Sequence, residues 1–302
     1  MPADKLLAGL IGCGIQRSLT PAMQEEEARH HALRLHYQLI DLDRTPGAIA
    51  QLPNLLGAAR IMGFAGLNIT YPFKQAVVPL LDELSPEAKA IGAVNTVVIQ
   101  RGRMIGHNTD GSGWAWGFRR ALPGADLSRV ALLGAGGAGS AIADAVLRLG
   151  AQCLCVVDVD HARAQALADA LNARYGARAT ASGDAVQALA GATGLIHATP
   201  TGMATLPGLP MPASLLRPSM WVSEAVYVPI ETELLKAART LACPTMDGGR
   251  MAVGQAVGAF ELFTGMKADA ARMERHLRRL LAEPGRITDQ TTGAAGAPDG
   301  RP

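Results

Sequence analysis

Short apolar runs alternate with helical stretches along the first 110 residues of the chain. The runs are bounded by glycine, proline and polar residues, which is typical of buried strands. They lie at 6–12, 35–43, 64–70 and 93–100. Helical patterns follow Pro21, Pro46 and Pro72. The alternation predicts an α/β unit with a mostly parallel sheet and helical crossovers.

Individual residues predict where helices and a turn lie in this first unit. A helix is predicted from Pro21 to about His31 with Thr20 as its N-cap, because threonine caps helices and proline is favoured in the first turn. A further helix is expected around 72–81. The pair Arg101-Gly102 is expected at the turn of a hairpin.

The second half of the chain repeats strand, turn and helix more regularly. The predicted order is helix 112–122, strand 129–134, a glycine-rich turn, helix 138–149, strand 153–158, a helix ending at Gly176, and strands near 194–199 and 220–226. This order predicts a doubly wound, Rossmann-type domain that binds a dinucleotide.

Composition and charge limit the classes of binding partner to be expected. The net charge is +2 over 302 residues, without a Lys/Arg block, which gives no electrostatic case for nucleic acid. Cys153 and Cys155 are two apart in a predicted strand, so they form no CxxC motif and predict no metal site. The amino-terminal sequence lacks a secretion signal, and no apolar run is long enough for a bilayer. We expect a cytoplasmic protein that binds a small molecule, with no nucleic-acid or membrane partner.

The glycine-rich turn satisfies GxGxxG at 134, 136 and 139. Such a turn lets the backbone approach a pyrophosphate, and the helix behind it offers free N–H groups and a positive dipole end. The candidate cofactor-binding residues of the turn are Gly134, Ala135, Gly136, Gly137 and Ala138. A packed Gly-Ala turn is the alternative, but the strand before and the helix after favour a dinucleotide.

Asp158, which ends the next predicted strand, distinguishes between cofactors. A carboxylate there accepts hydrogen bonds from the adenosine ribose and repels the 2′-phosphate of NADP. The sequence therefore predicts NAD rather than NADP, although Asp158 could instead cap the following helix. Arg163 is expected either to stack on adenine or to remain a solvated helix residue.

Polar residues interrupt the apolar pattern of the first unit. Asn68 and Thr70 end a strand, Lys74 follows a proline turn, Asn95 lies in an apolar run, and Asp110 lies in a glycine-flanked turn. Asn68 and Asn95 could instead satisfy backbone groups at strand ends, and Asp110 could cap the following helix. These residues predict a particular function only when they are considered together with other motifs.

Eight segments, in order, resemble the shikimate dehydrogenase family. They are RSLTP (17–21), GLNITYPFK (66–74), GAVNT (92–96), GHNTDGSG (106–113), the glycine-rich turn, ATPTGM (198–203), AVYVPIETELL (225–235) and DGGRMAVGQA (247–256). The NAD-dependent quinate/shikimate branch is the most similar, because Asp158 replaces a basic signature of NADP-specific members and Thr20 replaces a serine usual in biosynthetic enzymes.

The resemblance implies roles for these residues. Lys74 and Asp110 are the implied catalytic pair, and either could first accept the hydroxyl proton. The implied substrate ligands are Ser18 and Thr20 for a carboxylate, Asn68, Thr70, Asn95 and Gln255 for ring hydroxyls, and Tyr227 at the carboxylate end. The implied nicotinamide neighbours are Thr199, Met203, Val226 and Gly248. The chain departs from the family at His197, usually Asn, at Glu224, commonly Asp, and also at Arg17 and Arg250. We expect His197 to bond backbone near the cofactor.

Two domains and a tail are therefore expected. The substrate domain comprises 1–111 and, because the last helices carry Gln255, also 249–283. The NAD-binding domain comprises 112–248, and 284–302, poor in bulky apolar residues, is expected to be disordered. The alternatives are a biosynthetic NADPH-dependent shikimate dehydrogenase and a non-catalytic, dinucleotide-sensing homologue. Sequence leaves the oligomeric state open, with a homodimer as one candidate.

Overall fold

The computed structural model describes residues 5–282, so the tail predicted to be disordered lies outside the described residues. Two six-stranded sheets organise the chain. The strands are β1 Lys5–Gly12, β2 Arg34–Asp41, β3 Gly66–Ile69, β4 Glu83–Leu84, β5 Thr96–Gln100, β6 Arg103–His107, β7 Arg129–Leu133, β8 Cys153–Val157, β9 Ala179–Ser182, β10 Gly194–His197, β11 Trp221–Glu224 and β12 Thr245–Met246. The helices are α1 Thr20–His30, α2 Ala48–Ile61, α3 Pro86–Ile91, α4 Asp110–Ala121, α5 Gly137–Arg148, α6 His161–Tyr175, α7 Ala185–Leu189, α8 Glu233–Thr240, α9 Gly248–Thr264 and α10 Ala270–Ala282.

The first sheet has the order β2-β1-β3-β5-β6-β4. Only β5 runs against the others, because it pairs antiparallel with both β3 and β6. The predicted hairpin is present, and its two turn residues, Arg101 and Gly102, both have positive φ. The expectation of a mostly parallel α/β sheet is confirmed.

The second sheet has the order β12-β11-β10-β7-β8-β9, and all of its pairings are parallel. The chain order reverses between β7 and β10, which is the topological switch point at which doubly wound sheets bind ligands. Buried aliphatic side chains of α5 and α6 cover one face, and those of α7 and α8 cover the other. The prediction of a Rossmann-type architecture is confirmed.

The last two helices return to the first sheet. Val253 and Phe260 of α9 and Leu277 of α10 are buried in one cluster with Leu19 and Met23 of the α1 region. Helix α4 also packs closely on α9, because a Cβ on Gly113 would lie 2.4 Å from the backbone nitrogen of Gln255. The carboxyl-terminal helices thereby bring Gln255 towards the first sheet.

Two local predictions are wrong. The segment 72–81 forms turns and a short 3₁₀ helix, Val78–Leu80, rather than an α-helix. Pro79 lacks an N–H and disfavours the helical conformation at the residue before it, which breaks the pattern. Thr20 is the first residue of α1 and not its N-cap, which is Leu19. The Thr20 hydroxyl instead accepts a hydrogen bond from Ser18 Oγ at 3.1 Å.

Candidate active site

The Lys74–Asp110 pair lies between the two sheets. Lys74 Nζ is 2.5 Å from Asp110 Oδ2, and the Asp110 side chain is fully buried. Asp110 begins α4, where the helix dipole stabilises a negative charge, and its backbone N–H donates to Asn108 Oδ1 at 3.0 Å. The second carboxylate oxygen accepts from Asn95 Nδ2 at 3.0 Å. The buried carboxylate is thus held on both oxygens.

Two asparagines extend this network away from the pair. Asn95 is buried and also binds Thr109, through both the hydroxyl and the backbone N–H of that residue. Asn68 Nδ2 donates to Thr96 Oγ1 at 2.9 Å and to the Asn95 carbonyl at 3.2 Å. The structure therefore gives both predicted substrate ligands protein partners that fix the orientation of their amides.

Tyr37 was missed by the sequence reasoning. Its hydroxyl donates to Asn68 Oδ1 at 2.6 Å, and its side chain is buried although it belongs to edge strand β2. Burial and then the neighbouring Tyr227 raise the pKa of the Tyr37 phenol well above 10, so the phenol remains a donor at neutral pH. The only sequence signal is an aromatic residue in an alternating strand, which by itself predicts core packing.

The predicted carboxylate end lies at the start of α1. Ser18 and Thr20 share a hydrogen bond, so their hydroxyls lie side by side. Burial raises the pKa of the Tyr227 phenol, while its hydrogen bond with Ser18 acts to lower it. Ser18, Thr20 and Tyr227 are therefore brought together from distant parts of the chain.

Thr70 follows strand β3, and Gln255 lies on helix α9. The Thr70 methyl group packs against Gly12, where a Cβ would lie only 2.4 Å away. The Gln255 carbonyl accepts from Thr109 Oγ1 at 3.1 Å. Among residues 5–282, no hydrogen bond holds the Gln255 side-chain amide, which leaves it free for a ligand.

The glycine-rich turn fits a dinucleotide. Gly134 has φ +107°, and a Cβ on Gly139 would lie 2.0 Å from the Gly134 carbonyl oxygen, so both positions require glycine. Around Gly136 a Cβ would meet nothing within 4 Å, which is the open space that a pyrophosphate needs. No side chain of the described residues caps α5, so its first N–H groups remain available.

The same turn reaches the Lys74–Asp110 pair. A Cβ on Gly137 would lie 3.2 Å from Cδ of Lys74. The N-terminus of α5 and the lysine stem are therefore in contact, and Ala138 follows in the first turn of the helix. A dinucleotide bound at this turn would lie in the same crevice as the Lys74 amino group.

Asp158 holds the turn from the adjacent strand end. Its Oδ2 accepts from the Ala135 N–H at 2.7 Å, and its Oδ1 accepts from the Asp160 N–H at 2.9 Å. Asp160, and not Asp158, is the N-cap of α6. Arg163 is about half exposed and lies 3.6 Å from Asp158 and 3.5 Å from Asp160. One guanidinium faces two carboxylates, so this edge carries a net negative charge.

The expected nicotinamide neighbours surround the ends of β10 and β11. Val226 is buried, and Gly248 approaches the Val226 carbonyl so closely that a Cβ would lie 2.4 Å from its oxygen. Met203 is 41% exposed in the loop after β10. Thr199 packs its methyl against Gly134, where a Cβ would lie 3.1 Å away.

His197 was expected to bond backbone, and this is wrong. Its Nδ1 lies 2.9 Å from Glu224 Oε1, and its Nε2 lies 2.5 Å from Thr199 Oγ1. The parallel register pairs His197 directly with Glu224, which brings the two side chains together. Within residues 5–282, no group of three metal-ligating side chains could hold an ion, and no helix is both long and apolar enough to cross a membrane.

Comparison with known proteins identifies the families that the chain matches. Residues 10–97 match the shikimate dehydrogenase substrate binding domain, and 249–278 match the shikimate 5′-dehydrogenase C-terminal domain. The chain is similar to the shikimate dehydrogenase (NADP⁺) of Streptomyces avermitilis, with 55% identity over 90% of this chain and 95% of the relative. It is also similar to the quinate/shikimate dehydrogenase (NAD⁺) of Corynebacterium efficiens, with 50% identity over 90% and 98%.

A solved structure agrees in fold. The quinate dehydrogenase of Corynebacterium glutamicum in complex with NAD superposes with a TM-score of 0.85 at 48% identity. The match covers 92% of this chain and all of that one.

Proposed function

The chain belongs to the shikimate dehydrogenase family, and from that premise we propose that it is an NAD-dependent quinate/shikimate dehydrogenase. It oxidises shikimate to 3-dehydroshikimate, quinate to 3-dehydroquinate, or both, reversibly. The observation that carries this proposal is the Lys74–Asp110 contact beside the glycine-rich turn. Oxidation of an alcohol by a dinucleotide needs an acid–base group beside the cofactor, and this pair lies in that position.

The chemistry follows from this geometry. The glycine-rich turn and the first N–H groups of α5 would hold NAD, which would supply the acceptor for the hydride of the carbinol carbon. The hydroxyl proton passes to the Lys74–Asp110 pair, whose two groups share one hydrogen bond at 2.5 Å. Asn95 holds Asp110 in place, so the pair meets the substrate without reorganising. Lys74 must be neutral when it accepts a proton, which makes the deprotonated pair the reactive form.

Substrate recognition is proposed to use neutral donors. Ser18, Thr20 and Tyr227 bind the carboxylate, and the ring hydroxyls meet Asn68, Thr70, Asn95 and Gln255. The Gln255 amide, which no other described residue holds, would be left unpaired by a wrong ring and therefore discriminates between polyols. We propose a substrate domain that comprises 1–111 with 249–283, and a cofactor domain that comprises 112–248.

NAD is the proposed cofactor because of Asp158. Its carboxylate lies at the strand end beside the turn, where it can bind the adenosine ribose and repel a 2′-phosphate. A specific observation favours a second candidate, since the 55% identical relative is named as NADP-dependent. That candidate is a biosynthetic enzyme that reduces 3-dehydroshikimate with NADPH.

One steady-state experiment separates these functions. NADH or NADPH absorbance is followed with shikimate and with quinate, each with NAD and with NADP. We expect turnover with NAD and a kcat/KM for NAD above that for NADP. The reverse cofactor order identifies the biosynthetic candidate, and NAD binding without turnover on either polyol identifies the dinucleotide-sensing homologue.

We propose that the enzyme is cytoplasmic, with a homodimer as one candidate assembly. Gel filtration with light scattering gives the mass in solution, and a mass of one chain excludes the dimer. Fractionation of cells that express the protein tests the location.

A further inference from the structure

A buried polar chain connects β11 to the cofactor crevice. His197 and Glu224 are fully buried at paired positions at the carboxyl ends of β10 and β11. Glu224 also accepts from the Val226 N–H at 2.9 Å and from Thr232 Oγ1 at 3.0 Å. A carboxylate with these donors is the acceptor, so His197 Nδ1 carries a hydrogen and donates to it.

The other end of the imidazole meets Thr199. His197 Nε2 lies 2.5 Å from Thr199 Oγ1, and the same oxygen accepts from the Thr201 N–H at 3.3 Å. The Thr199 methyl group meanwhile faces Gly134 of the glycine-rich turn. Contacts on both sides fix the threonine rotamer. Thr199 is partly exposed, whereas His197 and Glu224 are not, so its hydroxyl is where the chain reaches the crevice.

We propose that His197 and Glu224 are positioning residues that aim the Thr199 hydroxyl at the carboxamide of the nicotinamide. The inference rests on the proposed function for its link to hydride transfer. When the imidazole is neutral, Thr199 donates to Nε2 and offers an acceptor to the carboxamide NH₂. When the imidazole is protonated, Thr199 accepts from Nε2 and donates to the carboxamide oxygen. In both states the Thr199 hydroxyl keeps one hydrogen-bonding position for the carboxamide of the nicotinamide.

A structural role alone does not explain this arrangement. A buried ionisable pair is costly, and well-packed apolar residues often replace one without loss of stability. Here the bonded chain ends on a hydroxyl at the switch point of the sheet, rather than on a core group. A rigid hydroxyl there limits rotation of the nicotinamide and holds it in the orientation for hydride transfer.

The test is a double-mutant cycle of His197→Gln and Thr199→Val. Calorimetry gives the Kd of NAD, and steady-state kinetics give kcat and the KM for the polyol. Each single variant is expected to raise the Kd of NAD or lower kcat by about tenfold, because one or two hydrogen bonds are lost. The polyol KM should stay within about twofold, since substrate contacts are untouched. The double variant should be no worse than Thr199→Val alone, because His197 acts through that hydroxyl.

Controls separate positioning from folding. Ser223 lies next to Glu224 on β11, is buried, and accepts from Trp114 Nε1 at 2.9 Å on the other face of the sheet. Ser223→Ala should lower Tm and leave the NAD Kd unchanged. Thr199→Ser keeps the hydroxyl and should retain more affinity than Thr199→Val. If His197→Gln does not fold, Glu224→Gln takes its place in the cycle.

Several outcomes overturn the inference. Effects of the two single variants that multiply in the double variant show that His197 acts independently of Thr199. A His197→Gln protein with lower Tm but unchanged NAD Kd and kcat has lost a structural residue only. Wild type without polyol turnover refutes the proposed function instead, while the calorimetric cycle still tests the His197–Thr199 coupling.

Discussion

The hydroxyl of Tyr37 donates a 2.6 Å hydrogen bond to Oδ1 of Asn68. This bond turns the Asn68 amide group so that its nitrogen faces Thr96 and the Asn95 carbonyl. Strand β2 lies at the edge of the first sheet, two strands from β3, which carries Asn68. A residue remote from the motifs thereby orients a proposed substrate ligand.

Tyr37→Phe is therefore expected to weaken substrate binding. Loss of one neutral hydrogen bond costs about 1 kcal/mol, which raises the polyol KM about fivefold. The kcat should change little, because the Lys74–Asp110 pair is not touched. Initial rates at varied polyol concentration measure both. An unchanged KM would show that Tyr37 serves only core packing.

Lys74→Ala is expected to lower kcat by about 10²- to 10⁴-fold, the range for loss of an acid–base group. The NAD Kd should be nearly unchanged, because the phosphate-binding N–H groups belong to α5. Lys89→Ala is the matched control, since Lys89 is exposed on α3. A Lys74→Ala enzyme that keeps most of the wild-type rate would contradict the catalytic assignment.

Asp158→Asn is expected to shift the cofactor preference towards NADP. The amide oxygen can still accept from the Ala135 N–H, while the negative charge and the acceptor for the Asp160 N–H are lost. The measured quantity is the ratio of kcat/KM for NAD to that for NADP, which should fall by about tenfold, the equivalent of about 1.4 kcal/mol. Asp160→Asn removes a charge from the same edge and is the control. Equal shifts in both variants would mean that general charge, rather than Asp158, selects the cofactor.

Two glycine-to-alanine variants should change stability in opposite directions. Gly113 has no room for a Cβ against the backbone of α9, so Gly113→Ala should destabilise the fold by about 1–3 kcal/mol and displace Gln255. A Cβ added at Gly57, inside α2, would meet no atom within 4 Å, so Gly57→Ala should stabilise by about 0.5–1 kcal/mol. Urea unfolding measures both. Equal effects would contradict the tight α4–α9 crossing.

Low pH should weaken the contact that Glu27 makes between α1 and α10. Burial acts to raise the Glu27 pKa, but hydrogen bonds from Arg272, the Asp269 N–H and His31 outweigh it and hold the pKa below 4.5. Because the folded pKa is the lower one, this contribution to stability is complete above pH 4.5 and disappears as pH falls through the folded value.

Glu27→Gln should therefore lower the free energy of unfolding at pH 7 and flatten its decline below pH 4.5. Urea titrations at a series of pH values measure this slope. Glu87→Gln removes an exposed carboxylate from α3 and controls for net charge. An unchanged slope for Glu27→Gln would exclude the Glu27–Arg272 pair as a source of acid sensitivity.

Short-range sequence patterns predicted much of the fold. Apolar alternation and turn residues predicted the Gly-rich strand–turn–helix unit, the Arg101-Gly102 hairpin and the β8–α6 segment, because each depends on neighbours within a few residues. The same local reasoning failed at 72–81, where Pro79 interrupts a helical pattern. It also misplaced the start of α1 by one residue.

By itself, the sequence determined the class of fold, the dinucleotide turn and, through eight ordered motifs, the family. The tertiary structure alone decided which polar groups meet. Tyr37 and Asn68 are 31 residues apart, and His197 and Glu224 are 27 apart, so no local pattern links them. Strand order and register bring these pairs together, and register follows from burying the whole sheet rather than from any one segment.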